Sequence, residues 1–335
     1  MVVMLGICKQ AFNFLLLFVV FLLSFYFVEW TVDRYNYETM LTNIDVYDTD
    51  FIFKIIAILS VKYGYSYDQV YHFHVIIEAF LFALFSNKIT NKPFIPLLFF
   101  ILLNFVNIAN QLRFFVGLGI FFYSMTLYDK NKIVYYLLGV LACMNHLTMV
   151  IMFLIMPFRN IICKIKFRNY LVLSFVIVLV VPFIKLLLPS FLMDFVRYLD
   201  DKYKSSILGG IFNLLPTIFF VFTIMKTHSY LLIRYEILKN YNYKLLYSLS
   251  VFSFVFIPLS VFFQLFSQRF VFTFILIWVA YLFNYYPKSN KKLKVCMMGI
   301  FTILWFYLSP LVFLGYSYYW DNLLVMFGFK EYLNV

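Results

Sequence analysis

The chain has 335 residues, of which 64% are hydrophobic and 13% charged, with mean hydropathy +0.91 and a formal net charge of +12. A soluble domain carries about 25% charged residues and could not hide so much apolar surface. Four cysteines exclude a disulfide scaffold, and long apolar runs exclude disorder and a transmembrane barrel. What remains is an all-α, polytopic integral membrane protein with about 10–11 transmembrane segments, some short or re-entrant.

Residues 12–28 form one apolar run. At 1.5 Å rise per residue it spans about 26 Å, and without a small-residue cleavage site it reads as a retained helix. Residues 29–68 read as an outer acidic loop with an amphipathic segment. Glu29, Asp33, Glu38, Asp45, Asp48 and Asp50 are opposed by Arg34 alone, and 51–63, interrupted by Lys54 and Lys62, suits the membrane interface. A helix over 69–86 carries Glu78, and Pro93 stands near the next helix start. Two short apolar runs, 94–109 and 112–127, flank Asn110-Gln111-Leu112-Arg113. The segment 133–158 is long for one span and has Asn145 and His146 at its middle. Further helices are expected over 169–188, 209–226, 245–266, 269–286 and 295–315, with an outer loop at 189–208 and a C-terminal tail at 316–335. With no internal repeat and no Gly/Ser linker, residues 1–335 read as a single transmembrane domain.

Charge orients these segments. With the N-terminus inside and 133–158 crossing once, the basic run Arg159, Lys164, Lys166, Arg168 lands outside, against the positive-inside tendency. If 133–158 is instead two half-spans folding back near His146, that run lands inside. The inside then carries 17 basic and two acidic residues, the outside ten basic and twelve acidic, and Glu78 lies in a span. The net charge is thus mainly a topology signal, and no nucleic-acid partner is expected.

The interruptions that topology leaves unexplained share the outer face: Asp33, Asp48, Asp50, Arg113, His146, the loop Asp194–Lys204 and Arg269. Polar groups held at a membrane are costly and usually have partners or a task. Arg113 and Arg269 read either as snorkelling helix ends or as clamps on phosphate oxygens, for which the planar guanidinium is suited. His146, where the chain must turn, reads either as a structural hydrogen-bond partner or as a proton-transfer group lining a cavity. His74 and Glu78, i and i+4 on one helix face, read as a structural pair rather than a metal site, and His228 as incidental in an inside loop. Asp48-Thr49-Asp50 has the Asp-x-Asp pattern of metal–nucleotide sites, but the outer face offers no nucleotide sugars, so a lipid-linked donor is the more sensible partner. Cys8, Cys143, Cys163 and Cys296 are scattered, and no CxxC, Walker A, Gly-rich dinucleotide loop or HExxH occurs. Neither cofactor nor metal is predicted.

The order of these marks resembles a known family. Asp33 precedes Asn36-Tyr37, then come Asp50-Phe51, Gln111-Leu112-Arg113, Leu141-Ala142-Cys143-Met144-Asn145-His146, an outer loop around Tyr203, and Gln268-Arg269-Phe270. This is similar to the EpsG branch of the Wzy-type bacterial polysaccharide polymerases (O-antigen, capsule or exopolysaccharide), over roughly residues 30 to 285. The chain departs from that pattern in having Phe51 after Asp50 and Asn145 before His146.

The resemblance implies a multi-pass protein of the bacterial cytoplasmic (inner) membrane. It would join oligosaccharide repeat units, carried on undecaprenyl pyrophosphate, into surface polysaccharide at the outer face, without nucleotide or metal. Its implied partners are that lipid-linked oligosaccharide, the bilayer, a chain-length regulator and a flippase. In that chemistry Arg113 and Arg269 would hold the departing pyrophosphate. His146, or else Asp50, would be the general base, and Asp33 would stabilise the sugar or orient an arginine. Gln111, Tyr203 and Arg197 are secondary candidates. Two other classes stay open: a membrane O-acyltransferase modifying surface glycan, and a transporter or flippase for a lipid-linked glycan. The first would want its histidine facing an acyl donor from inside; the second would show repeats with broken helices in matching halves.

Overall fold

The computed structural model describes residues 2–28, 31, 33–42, 50–153, 155–164, 169–170, 172–176, 179–180, 207–232, 237, 239–263, 266–287, 291–314, 323–324 and 326. In chain order the helices are α1 (Val2–Tyr26), α2 (Arg34–Thr42), α3 (Phe51–Tyr63), α4 (Tyr67–Ile89), α5 (Phe94–Asn110), α6 (Leu112–Met125), α7 (Lys132–Asn145), α8 (Met149–Phe153) and α9 (Ile155–Ile162). They continue with α10 (Ile207–Leu232), α11 (Tyr241–Val255), α12 (Ile257–Phe262), a π-helical turn at Ser267–Val271, a 3-10 turn at Phe272–Phe274, α13 (Ile275–Tyr285) and α14 (Lys291–Leu314). The protein is an all-α, polytopic membrane protein. Among the described residues four segments are long and apolar enough to cross: Cys8–Tyr26, Tyr67–Ile89, Leu214–Leu232 and Ser267–Tyr285. Shorter apolar helices are Phe94–Asn110, Leu112–Met125 and Lys132–Asn145. A 14-residue helix such as α6 or α7 reaches only about 21 Å, short of the roughly 30 Å hydrocarbon core.

Local chemistry sets the boundaries. α3 ends at Gly64, whose φ of 70° needs a residue without a Cβ. Two residues on, a capping box opens α4: the Ser66 N–H donates to Gln69 Oε1 at 2.9 Å and the Gln69 N–H to Ser66 Oγ at 3.4 Å. Asn131 and Asn240 cap α7 and α11 through the N–H groups of Val134 and Tyr243, each at 3.1 Å.

The chain forms two compact units. The first is residues 1–88, 105–153 and 317–335. Its core is aromatic: Phe21 stacks on Phe82 at 5.5 Å, Phe25 on Phe105 at 4.9 Å and Phe85 on Phe122 at 4.9 Å. α6 lies close to both neighbours because a Cβ on Gly119 would meet Leu81 at 3.0 Å, and one on Gly117 would meet the Ala142 carbonyl at 3.2 Å. At its end, α7 gives way to a reversal. His146 is extended, and α8 returns along α7, with the Phe153 ring stacked on Tyr135 at 5.1 Å and the Tyr135 hydroxyl donating to the Phe153 carbonyl at 2.7 Å. Phe153 also fills the space left by Gly139. The fold-back expected near His146 is therefore present, and it turns at His146–Thr148.

The second unit is residues 89–104 and 154–316. Trp278 Nε1 donates to Ser253 Oγ at 2.9 Å, tying α13 to α11. Asn284 donates to the Ile89 carbonyl at 2.8 Å and accepts from the Thr90 hydroxyl at 2.9 Å. Asn104 donates to the Phe272 carbonyl at 3.0 Å, which satisfies backbone where the helix is irregular. The expected helix over 209–226 runs on to Leu232 and takes His228 with it. No Gly or Pro stops it there, and His228 and Ser229 find partners inside the unit. His228 is buried, stacks on Tyr247 at 3.6 Å and meets the Tyr243 hydroxyl through Nδ1 at 2.5 Å. It is not a loop residue. The expected helix over 245–266 breaks at Phe256, before Pro258 at the start of α12.

Candidate functional site

Asp50 occupies the N-cap position of α3, yet its side chain makes no capping hydrogen bond. It is 9% exposed and turns instead to Arg113, accepting from Nη1 through Oδ2. Arg113 is the second residue of α6, just past the break at Gln111. That break costs little backbone bonding: the Gln111 N–H reaches the Asn107 carbonyl at 2.8 Å and the Phe115 N–H reaches the Gln111 carbonyl at 3.1 Å. Gln111 Oε1 is buried with no hydrogen-bond partner among the described residues. The Arg113 side chain is 19% exposed. Its guanidinium stands 5.4 Å from the ring centre of Tyr37 and 5.2 Å from that of Phe53, within cation–π range of both.

Tyr37 shares a face of α2 with Arg34, three residues before it, and both lie against Tyr67. Arg34 bonds Glu38 at 2.7 Å and Asp68 at 2.9 Å and lies over the Tyr67 ring at 4.8 Å. These pairs pin α2 to the start of α4 and press Tyr37 inward. Burial pushes the Tyr37 phenol above its usual 10.0, the nearby Arg113 pulls it down, and Asp33 adds to the rise. Asp33 thus belongs to the same neighbourhood; its carbonyl accepts the Tyr37 N–H at 3.0 Å and its carboxylate the Asn36 amide at 3.4 Å. His74, buried on α4, faces Phe53 at 6.0 Å and lies within electrostatic reach of Arg113. Its Nδ1–H donates to the Val70 carbonyl at 2.7 Å, so its structural hydrogen bond is to the backbone and the expected pairing with Glu78 does not form. One turn further on, Glu78 is fully buried, and neither carboxyl oxygen has a hydrogen-bond partner among the described residues.

His146 reaches this group through Arg113's neighbour: its ring meets Phe114 edge-on at 5.4 Å and 89°. It is 7% exposed. Its Nδ1 accepts the Thr148 N–H at 3.3 Å and pairs with the Thr148 hydroxyl at 2.8 Å. A backbone N–H can only donate, so Nδ1 carries the lone pair and the neutral ring holds its proton on Nε2. His146 in this tautomer donates from Nε2.

The first unit therefore brings together Asp33, Asp50, Arg113 and His146, with Gln111 at the helix break. Arg269 belongs to the second unit. There it sits in the π-helical turn Ser267–Val271, buried, with its carbonyl accepting the Thr273 hydroxyl at 2.6 Å. π-Helical turns are rare and cluster at functional positions. Asp48, Arg197 and Tyr203 lie outside the described residues. Sequence reasoning missed the frame of the site, Tyr37, Phe53 and His74. Its one trace was the aromatic in Asn36-Tyr37.

No curated protein and no solved structure matches the chain. A family model, that of the EpsG family, matches residues 10–323. That span contains every side chain just described, from Asp33 to Arg269. The chain belongs to the EpsG family, and so, in general terms, to the membrane proteins of polysaccharide-polymerase type.

Proposed function

We propose that the protein is a glycosyltransferase that joins undecaprenyl-pyrophosphate-linked oligosaccharide repeat units at the outer face of the bacterial cytoplasmic membrane. The observation that carries this reading is the Asp50–Arg113 pair, set against two touching aromatic rings one residue from the His146 contact. In such a transfer the acceptor hydroxyl attacks the anomeric carbon of the donor, the bond to undecaprenyl pyrophosphate breaks, and the pyrophosphate leaves with the bonding electrons. The developing negative charge needs prepositioned donors. Arg113 supplies a charged fork already oriented by Asp50. His146, protonated on Nε2, adds a neutral donor to a phosphoryl oxygen. Asp50 is then the better choice for general base, since a carboxylate has acceptor positions beyond the oxygen held by Arg113.

The test is reconstitution in vesicles with a lipid-linked repeat unit as the only glycan. Wild type yields a ladder of chain lengths; Arg113→Ala and Asp50→Ala leave single repeat units on the lipid. An unchanged ladder in both variants would overturn the assignment. Movement of the lipid-linked unit across the bilayer without chain growth would replace the polymerase reading with a flippase.

A further inference from the structure

A second polar group lies wholly within the second unit, where α9 packs on the start of α11. α9 turns Ile155, Met156 and Arg159 inward and leaves Phe158 and Ile161 exposed. This sorting is unusual. An arginine at a membrane boundary ordinarily lays its stem along the apolar surface and reaches for the headgroups. Arg159 is instead 7% exposed, and its guanidinium lies over the Tyr241 ring at 5.2 Å. The seam is fixed by polar contacts. The Ser248 hydroxyl donates to the Arg159 carbonyl at 3.4 Å, and Cys163 Sγ stands 3.4 Å from Ser248 Oγ and 3.7 Å from the Lys244 carbonyl. At its surface Lys244 Nζ reaches Asn160 Oδ1 at 3.5 Å.

The charges at this seam have one sign. Arg159 and Lys244 both act electrostatically on the Cys163 thiol, and Lys164 is the next residue. Lys244 is the fourth residue of α11, near the positive end of the helix dipole, and no acidic residue stands in that first turn. Among the described residues of the second unit there is no Asp or Glu; Glu236, the one acid that charge orientation puts on the inner side here, lies outside them. Like charges gathered in one place raise one another's energy, and an anion from outside the chain lowers it. The neighbours of the seam give that anion its chemistry. Phe158 and Ile161 flank Asn160, and an exposed apolar side chain of a membrane helix faces hydrocarbon. The anion therefore stands where a headgroup meets its acyl chains.

We propose that the α9–α11 seam binds the phosphodiester headgroup of an anionic phospholipid of the inner leaflet, with the phosphate on Lys244 and Asn160 and the acyl chains along Phe158 and Ile161. Lys244 Nζ has three donors and gives one to Asn160, whose own amide nitrogen is left to donate. Arg159, behind Tyr241, adds fixed positive charge without touching the phosphate. Basic sites between membrane helices on the inner side suit such headgroups. This inference does not rest on the polymerase reading: it concerns the other unit, and a lipid that is not consumed. Soluble phosphates of the cytoplasm share the headgroup's chemistry but lack its chains, and the test separates the two.

The full chain in a zwitterionic detergent is titrated with phosphatidylglycerol, with phosphatidylcholine of the same chains and with glycerol 3-phosphate, and bound molecules are counted by native mass spectrometry. Wild type should bind phosphatidylglycerol about tenfold tighter than phosphatidylcholine, and Lys244→Gln should lower that affinity about fivefold, the scale of one cation at an anionic membrane surface, with phosphatidylcholine unchanged. Lys164→Gln, at an exposed position, should act in the same direction. Lys132→Gln is the matched control: an exposed lysine at the start of α7 in the first unit, 5.9 Å from the Tyr128 ring centre, whose loss should leave binding as in wild type. Phosphatidylglycerol with a photoreactive acyl chain should label residues 158–161. Equal affinity for the two lipids, or labelling that misses α9, would overturn the proposal. So would an equal loss in Lys132→Gln, which would mean diffuse inner charge, or glycerol 3-phosphate binding as tightly as phosphatidylglycerol, which would make the ligand a soluble phosphate.

Discussion

The Asp50–Arg113 pair yields a prediction whose size can be worked out. Two unit charges about 4 Å apart at an effective dielectric of 20 attract by about 4 kcal/mol, against desolvation of the same order. The pair is therefore worth less as a pair than it costs to break. Asp50→Asn keeps the shape and removes the charge, leaving a guanidinium with only 19% of its side chain exposed. Removing one partner of a buried pair costs about 3–5 kcal/mol. The Tyr37 and Phe53 faces keep about 0.5–1 kcal/mol each of cation–π attraction in the variant, which brings Asp50→Asn below that range, to about 2–3 kcal/mol. Arg113→Met, which keeps the stem and leaves the carboxylate, should cost a similar amount. The double variant Asp50→Asn/Arg113→Met buries no charge and should recover most of the loss. SDS titration of the purified protein in mixed micelles, read as a double-mutant cycle, should give a coupling of about 1.5–3 kcal/mol. The same three proteins, assayed for chain growth, should all be inactive. Stabilities that add within about 0.5 kcal/mol would refute the reasoning. So would a double variant that is stable and active, which would make the pair structural.

Four further outcomes follow from the geometry. His146→Gln retains an N–H donor and should keep most of the chain-growth rate, whereas His146→Ala should lose about 10- to 100-fold, the scale of one hydrogen bond to a charged group; equal loss in both would return His146 to the role of base. Gly139→Ala should destabilise by about 1–3 kcal/mol through collision with the Phe153 ring, and the added substitution Phe153→Leu should relieve part of it in the same SDS titration. Glu78→Gln should change stability by less than about 0.5 kcal/mol and abolish no activity, because an ionised carboxylate with no hydrogen-bonded partner is strongly disfavoured there; a large loss would mean that its acidity is used. The raised Tyr37 phenol means that the folded state resists its ionisation. The stability it contributes is present below pH 10 and lost as pH rises from 10 towards the folded value, so Tyr37→Phe should show less alkaline destabilisation than wild type.

Some of this was legible in the chain. The fold-back was, because charge is counted one residue at a time: the basic run Arg159–Arg168 could be put inside only by reversing the chain near His146. Helix positions were legible where an explicit stop exists, as at Gly64 or before Pro93. They failed where polarity stood in for a stop. Past Lys226 the sequence turns polar, but His228 and Ser229 find partners at Tyr243 and the Met225 carbonyl, so α10 continues. The partner of Arg113 was not legible. Asp50 lies 63 residues away, and no periodicity links an N-cap on α3 to the start of α6. Arg34 read as a lone cation against an acidic loop, whereas it selects two carboxylates and thereby places Tyr37.

The clearest sign of function is a local rule broken. An aspartate at an N-cap ordinarily accepts from the N–H groups of the first turn, worth about 1 kcal/mol to its helix. Asp50 forgoes that bond and spends its carboxylate on Arg113. Arg113 in turn stands just beyond a helix interruption that begins at Gln111, whose buried side-chain oxygen has no hydrogen bond among the described residues. His146 stands at a third interruption, where α7 ends and the chain reverses. Three departures from regular structure, on three segments distant in sequence, place their polar side chains in one compact unit. Packing alone would have favoured a capped α3 and an unbroken α5–α6 helix with an apolar residue at 113. Where local preference is given up at several points that converge, the structure is held for binding or chemistry rather than for stability. This is why the Asp50–Arg113–His146 group, and not the better-packed His228–tyrosine cluster, is the place to test.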